Sequence, residues 1–205
     1  MRKIIVCMFL TMDGVLQAPG GPEEDPSGQF EWGGWMFPYG DDLTDKKLEK
    51  IMSGPFDLLL GRRTYDIFAG YWPGREDAIG QLFNRISKYV VSSQQLDLAW
   101  AHANLITGDV VAGLQQLKAQ DGPDLLVHGS SVLVQTLLAH QLIDELHTWI
   151  CPITLGKGKQ LFREGTQPQQ WKLTDTVVGS KGTIIATYVP DGEVQIGSLM
   201  AEEAK

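Results

Sequence analysis

Two short segments carry the sharpest chemical signal in this sequence. Leu58-Leu59-Leu60-Gly61-Arg62-Arg63-Thr64 and Leu125-Leu126-Val127-His128-Gly129-Ser130-Ser131 each run from an apolar, strand-like stretch into a glycine that opens a helical pattern. A helix N-terminus offers unpaired backbone N–H groups and a partial positive charge, and glycine lets the backbone approach a phosphate closely. Arg62 and Arg63 add fixed charge with bidentate geometry at the first turn, and Ser130 and Ser131 add hydroxyls at the second. Two such turns at the carboxyl ends of parallel strands can hold the phosphates of one dinucleotide. Taken singly, each glycine serves a tight turn equally well. The G-x-G-x-x-G fingerprint is absent, as are G-x-x-x-x-G-K-[ST], G-x-S-x-G, H-E-x-x-H and an EF-hand loop.

Carboxylates supply the second signal. Asp13 ends the first apolar run in Thr11-Met12-Asp13-Gly14, where it is a candidate proton donor or orienting group; an Asp-Gly turn is the plain alternative. Asp42 stands at a helix start, where capping is the plain role and catalysis the sharper one. Between Lys3 and Lys46 there is no Lys or Arg, while Asp13, Glu23, Glu24, Asp25, Glu31, Asp41 and Asp42 fall in that span with Trp32, Trp35, Phe37 and Tyr39. If this segment lines a pocket, with Trp35, Phe37 and Asp42 as substrate contacts, the pocket suits a planar neutral or cationic heterocycle and disfavours an anion. A solvated acidic loop with a hydrophobic pin is the alternative. His128 and His147 sit singly in strand-like segments and read as packed or hydrogen-bonded residues rather than ligands. Lys157 and Lys159 read as a surface turn that could touch phosphate. Cys7 and Cys151 lie in apolar runs and read as small core residues; no C-x-x-C exists and no metal site is expected.

The chain has 205 residues with 17 Lys and Arg, 25 Asp and Glu, and a formal net charge of −8. That balance argues against a general nucleic-acid binder or a ligand for anionic membranes. The apolar start, Ile4 to Leu10, is too short for a secretory signal and is followed by Asp13, and no run approaches the ~20 residues of a membrane span. The expectation is a reducing, cytoplasmic setting.

These groups must be positioned by elements that the apolar periodicity lays out. Ile4 to Leu10 has the pattern of a strand covered on both faces. Residues 14–40 form a long loop whose aromatics argue for order. Asp41, Asp42 or Thr44 caps a helix to about Ser53, with Leu48, Ile51 and Met52 inward. Strands at 58–60, 89–91, 105–107 and 125–127 alternate with helices at about 64–69, 79–86, 110–117 and 131–142. The segment Leu146 to Cys151 is another strand, and Lys172 to Val178 with Thr183 to Val189 reads as an antiparallel hairpin turning at 180–182. One domain is expected over residues 1–190, followed by a polar, frayed tail over 191–205.

Five segments in order resemble the dihydrofolate reductase-like superfamily. They are more closely similar to the stand-alone reductase domains related to the C-terminal half of the bifunctional riboflavin-synthesis deaminase/reductase. They are Thr11 to Gly14, Leu60 to Tyr65, Val90 to Ser93, Val127 to Ser131, and Pro152 to Phe162 with Leu155-Gly156-Lys157-Gly158. The resemblance implies a three-layer α/β fold with a mostly parallel central sheet, antiparallel C-terminal strands and helices on both faces. It implies NADPH as cofactor, held by Gly61, Arg62, Arg63 and Thr64, by Ser92 and Ser93, and by Gly129, Ser130, Ser131 and Val132. It implies catalytic roles for Asp13 and Asp42 in hydride transfer to a C=N or C=O of a small heterocycle, and a possible homodimer. The competing class is a non-catalytic NADPH-binding or interaction protein of the same fold. The sequence lacks the H-x-E…P-C-x-x-C zinc signature of the deaminase half. The absence of Lys and Arg from positions 4 to 45 argues against the phosphoribosylaminouracil as substrate.

Overall fold

In the computed structural model, which describes residues 1–198, eight strands form one sheet in the order β4-β3-β2-β5-β1-β6-β8-β7. The strands are β1 Ile4–Thr11, β2 Phe56–Gly61, β3 Lys88–Val91, β4 Ala103–Ile106, β5 Asp124–Val127, β6 Glu145–Cys151, β7 Trp171–Val178 and β8 Ile184–Pro190. The helices are α1 Asp42–Ile51, α2 Arg62–Tyr71, α3 Ala78–Arg85, α4 Val110–Ala119 and α5 Ser131–Ala139. The first six strands pair parallel, and β8 joins antiparallel to both β6 and β7. This is the expected α/β architecture. A register shift between Leu173 and Asp175 interrupts the last hairpin.

Strand alternation divides the core into two layers. Ile4, Val6, Met8 and Leu10 face α4 and α5, meeting Leu114, Leu117, Leu133, Val134, Leu137 and Leu138. Cys7, Leu58, Leu60 and Leu126 face the other side, where Tyr65, Phe68, Phe83 and Leu48 of α1, α2 and α3 cover them. Both cysteines are buried free thiols, and burial pushes the Cys7 thiol far above its ordinary value. His147 is buried with Nδ1 3.0 Å from Thr187 Oγ1. Among the described residues no helix is long and apolar enough to cross a membrane.

Local contacts settle several boundaries, some as the sequence led us to expect and some not. The cap of α1 is Asp41, whose carboxylate accepts from Leu43 N and Thr44 N while Thr44 Oγ1 accepts from Asp41 N. Ser180 Oγ also donates to Asp41 at 2.8 Å, so the same carboxylate ties α1 to the β7–β8 turn. Helix α2 starts at Arg62, because Gly61 is extended and serves as its N-cap, so both arginines belong to the first turn. In α3, Ile79 lies at the rim and Phe83 carries the buried face. Of the expected polar tail, positions 199–205 lie outside the described residues.

The amino-terminal edge of the sheet holds a buried ion pair between Arg2 and Asp57, with Arg2 also stacked over Tyr89. Lys88, fully buried at the start of β3, donates to Ala101 O at 3.0 Å and lies over the Trp100 ring. Both clusters sit at the sheet edge away from the glycine turns.

Candidate active site

The chain leaves β2 through α2 on one face towards β3, and leaves β5 through α5 on the other face towards β6. Since β2 and β5 are neighbours, their carboxyl ends form the switch point where ligands bind in open α/β sheets. The two glycine turns meet there. Gly61 N donates to Gly129 O at 3.4 Å. A Cβ on Gly61 would stand 2.1 Å from Ser130 Oγ, and one on Gly129 would stand 2.8 Å from Thr64 Oγ1. Gly129 also has φ +137°, so glycine is required at both positions for close approach and at the second for backbone conformation. The Gly129–Ser130 peptide is cis. Ser130 caps α5, its Oγ accepting from Leu133 N.

A cavity of about 890 Å³ opens over these turns. Gly61, Arg62, Arg63, Thr64, Ser92, Ser93, Gly129, Ser130, Ser131 and Val132 all line it. The structure thus brings together, around one volume, every residue that the sequence singles out for the cofactor. Arg62 Nη1 donates to Gln94 Oε1 at 2.8 Å at the exposed rim. Arg63 reaches across the mouth to Ser27 Oγ at 3.3 Å, with Asp25 at 3.8 Å.

The long loop supplies the opposite wall through Gln17, Ala18, Pro19, Glu24 and Asp25. Burial raises the Glu24 pKa, and Gly20 N donating to Oε2 at 2.6 Å offsets only part of this. Asp25 is partly buried, yet its pKa is lowered because Lys159 and Ser27 bond its carboxylate. Lys159 is a cation that the local sequence of the loop lacks; it comes from 134 positions away and is paired with Asp25 and Ser27. The sheet-side wall consists of Met8 and Phe9 of β1, Phe68 of α2, and His128 after β5.

Four expected site residues lie elsewhere. Asp13 does not line the cavity. Thr11 Oγ1, Leu155 N (3.1 Å) and Gly156 N (2.6 Å) donate to its carboxylate. Desolvation opposes them, but the three donors together hold its pKa below the ordinary value, so it is a carboxylate that anchors the 155–156 turn rather than a poised acid. Asp42 is exposed on the first turn of α1, next to the capping Asp41. Trp35 is buried, with Nε1 donating to Gln17 O at 2.8 Å, and packs with Val15, Ala18, Phe30 and Cys151 as the pin of the loop. Phe37 is 65% exposed in a short 3₁₀ turn. The loop therefore gives the cavity Glu24 and Asp25, beside Asp66 of α2, while its aromatics fold underneath; the cavity's phenyl rings are Phe9 and Phe68. Sequence reasoning missed Glu24, Asp25 and Lys159 as neighbours; His128, expected as a packed residue, packs against Phe83 at the cavity wall.

Residues 2–185 match the family model described as the RibD C-terminal domain. The chain belongs to the RibD C-terminal domain family. Uncharacterized protein YyaP of Bacillus subtilis (strain 168) is 27% identical over 192 residues, covering 91% of this chain and 94% of that protein. A putative riboflavin biosynthesis protein from Shewanella sp. PV-4 has the same fold, with a TM-score of 0.71 at 21% identity over 93% of this chain and 99% of that one. Dihydrofolate reductase from Enterococcus faecalis, solved with NADP(H), aligns with a TM-score of 0.58 at 18% identity over 93% and 97% of the two chains. Membership of the RibD C-terminal domain family places the chain in a reductase-type family of dihydrofolate reductase-like fold.

Proposed function

We propose that this protein is an NADPH-dependent reductase that acts on a C=N or C=O carbon of a small heterocycle. The observation that carries the reading is the meeting of two helix N-termini, each entered through a glycine, on one cavity at the switch point of the sheet. The residues fit the cofactor. The residues that open α2 and α5 line the cavity, where free helix N–H groups would hold a pyrophosphate and Ser130 and Ser131 would add donors. Arg62 and Arg63 stand at the mouth, Arg62 against Gln94 and Asp66 at the exposed rim and Arg63 against Ser27 and the partly buried Asp25, and a phosphate can compete for both guanidinium groups. NADPH, when bound, supplies the hydride. The chain's own part is to orient two rings between the sheet-side wall and the loop, and to exclude water with Met8, Phe9 and Phe68. Glu24, whose burial raises its pKa, can hold a proton close to the substrate.

The test is oxidation of NADPH, followed by loss of its absorbance, against a panel of dihydropterins, aminopyrimidines, cyclic imines and aromatic carbonyls. Turnover that disappears when Gly129 is replaced by Val supports the reading. Tight NADPH binding with no turnover on any compound would instead mark a binding protein.

A further inference from the structure

A polar bridge spans the mouth of the cavity. Arg63, on the first turn of α2, crosses to the loop wall, where Nη1 donates to Ser27 Oγ at 3.3 Å and stands 3.8 Å from Asp25 Oδ1. Its neighbour Arg62 pairs instead with Asp66, four residues on in the same helix, so that pair crosses nothing. Asp25 is tied where it stands. Ser27 Oγ donates to its Oδ1 at 2.6 Å, and Lys159 Nζ bonds its Oδ2. Gln17 Nε2 donates to the backbone oxygens of Asp25 and Ser27 at 2.9 and 2.8 Å, and Gln17 Oε1 accepts from Lys159 N at 3.1 Å. The Asp25 side chain is 14% exposed and that of Arg63 is 61% exposed, so the carboxylate is the fixed partner and the guanidinium the mobile one. Desolvation opposes the charge on Asp25, but Lys159 and Ser27 hold its pKa below the ordinary value, and it stays an anion.

We propose that Asp25 is an autoinhibitory counter-ion that occupies Arg63 in the empty site, so that a phosphate gains this guanidinium only by displacing a resident carboxylate. The proposal rests on the reductase reading for the identity of the anion and deepens it by naming a residue that sets how strong the anion must be. A carboxylate carries one charge and two acceptor oxygens, whereas a phosphate monoester carries about 1.5 to 2 charges at pH 7 and three strong acceptors. A carboxylate or a chloride offers Arg63 no more than Asp25 already gives it; a phosphate monoester offers more. Lys159 gives the exchange its direction. When Arg63 leaves, Asp25 keeps the ammonium and Ser27 as partners and is not stranded as an unpaired charge. Asp25 therefore weakens every phosphate that reaches Arg63, by about two- to fivefold, the range of an exposed ion pair.

If Asp25 only anchors the loop to Lys159, removing its charge leaves phosphate affinity unchanged or lowers it. The experiment measures binding of NADPH and of inorganic pyrophosphate by isothermal titration calorimetry. The proteins are the unaltered chain, Asp25→Asn, Arg63→Ala, the double variant Asp25→Asn/Arg63→Ala, and Glu23→Gln, which removes a charge from an exposed position two residues away. The proposal expects Asp25→Asn to bind about two- to fivefold more tightly, the gain to vanish in the Arg63→Ala background, and Glu23→Gln to change nothing. Asp25→Ser, whose hydroxyl can still bond Lys159, repeats the measurement and guards against a folding defect in the first variant. Affinity that stays level or falls in both Asp25 variants overturns the proposal. So does a gain that persists without Arg63, because it would come from the freed Lys159 or from net charge. If NADPH binds no variant while pyrophosphate shows the coupling, the reductase reading falls and this one stands. NADPH binding without the coupling sinks this one alone, and binding of neither probe sinks both.

Discussion

Replacing His128 by Phe removes a titrating group and leaves an aromatic ring against Phe83. In the native state burial lowers the His128 pKa from 6.5 to about 4. Between those two values the unfolded chain binds a proton that the native chain does not, so stability rises with pH across this window. The contribution is complete above pH 6.5 and is lost as pH falls towards 4. At about 1.36 kcal/mol per pKa unit, the difference between pH 7.5 and pH 5 comes to about 2 kcal/mol. His147 and the carboxylates titrate in both proteins, so their effects cancel in the comparison. Urea unfolding at pH 5, 6 and 7.5 measures it directly. The unaltered protein should lose about 2 kcal/mol more than His128→Phe between the two ends. Parallel pH profiles would refute the reasoning, because they would mean that the native ring is solvated or hydrogen-bonded.

Four further substitutions probe the frame of the site. Gly61→Ala places a Cβ 2.1 Å from Ser130 Oγ and should cost about 1–3 kcal/mol while weakening NADPH binding, whereas Gly70→Ala, with nothing within 4 Å, should gain about 0.4–1 kcal/mol in the same thermal melts. Arg2→Ala leaves Asp57 as a buried unpaired charge at the far edge of the sheet; it should lose about 3–5 kcal/mol in urea unfolding with NADPH affinity unchanged. Asp13→Asn removes the carboxylate that receives Leu155 N and Gly156 N, and should cost about 1–3 kcal/mol with faster hydrogen exchange at those two amides. Unaltered exchange there would show that Asp13 does not anchor the turn.

The fold was legible in the sequence because its signals are local. Short apolar runs such as Leu58-Leu59-Leu60, flanked by Gly54-Pro55 and Gly61, read as strands buried on both faces, and the spacing of Leu114 and Leu117 or of Val134, Leu137 and Leu138 reports helix faces. The glycine-turn end of the cavity was legible for the same reason, since glycine with arginine stands at the carboxyl end of β2 and glycine with serine at that of β5. The rest of the site depends on contacts between distant segments. Nothing around Asp25 announces that Lys159 will reach it, or that Trp35 will spend its N–H on Gln17 O and fold under the loop. Asp13 and Asp42 were drawn towards catalysis by chain position. What decided their surroundings was the arrival of the 155–156 turn at one, and the taking of the cap by Asp41 at the other. His128 shows the limit of composition, because a buried histidine with a partner and one without look alike until the neighbours are placed.

The central claim is that the two glycine turns and their arginines make a site for a phosphorylated dinucleotide. It is tested most directly by the affinities of NADPH and NADH, from quenching of tryptophan fluorescence, for the unaltered protein and for Arg62→Ala/Arg63→Ala. The account predicts that NADPH binds more tightly than NADH, and that the double variant loses about tenfold or more for NADPH with little change for NADH. Equal affinity for the two nucleotides, or no binding of either, would contradict it.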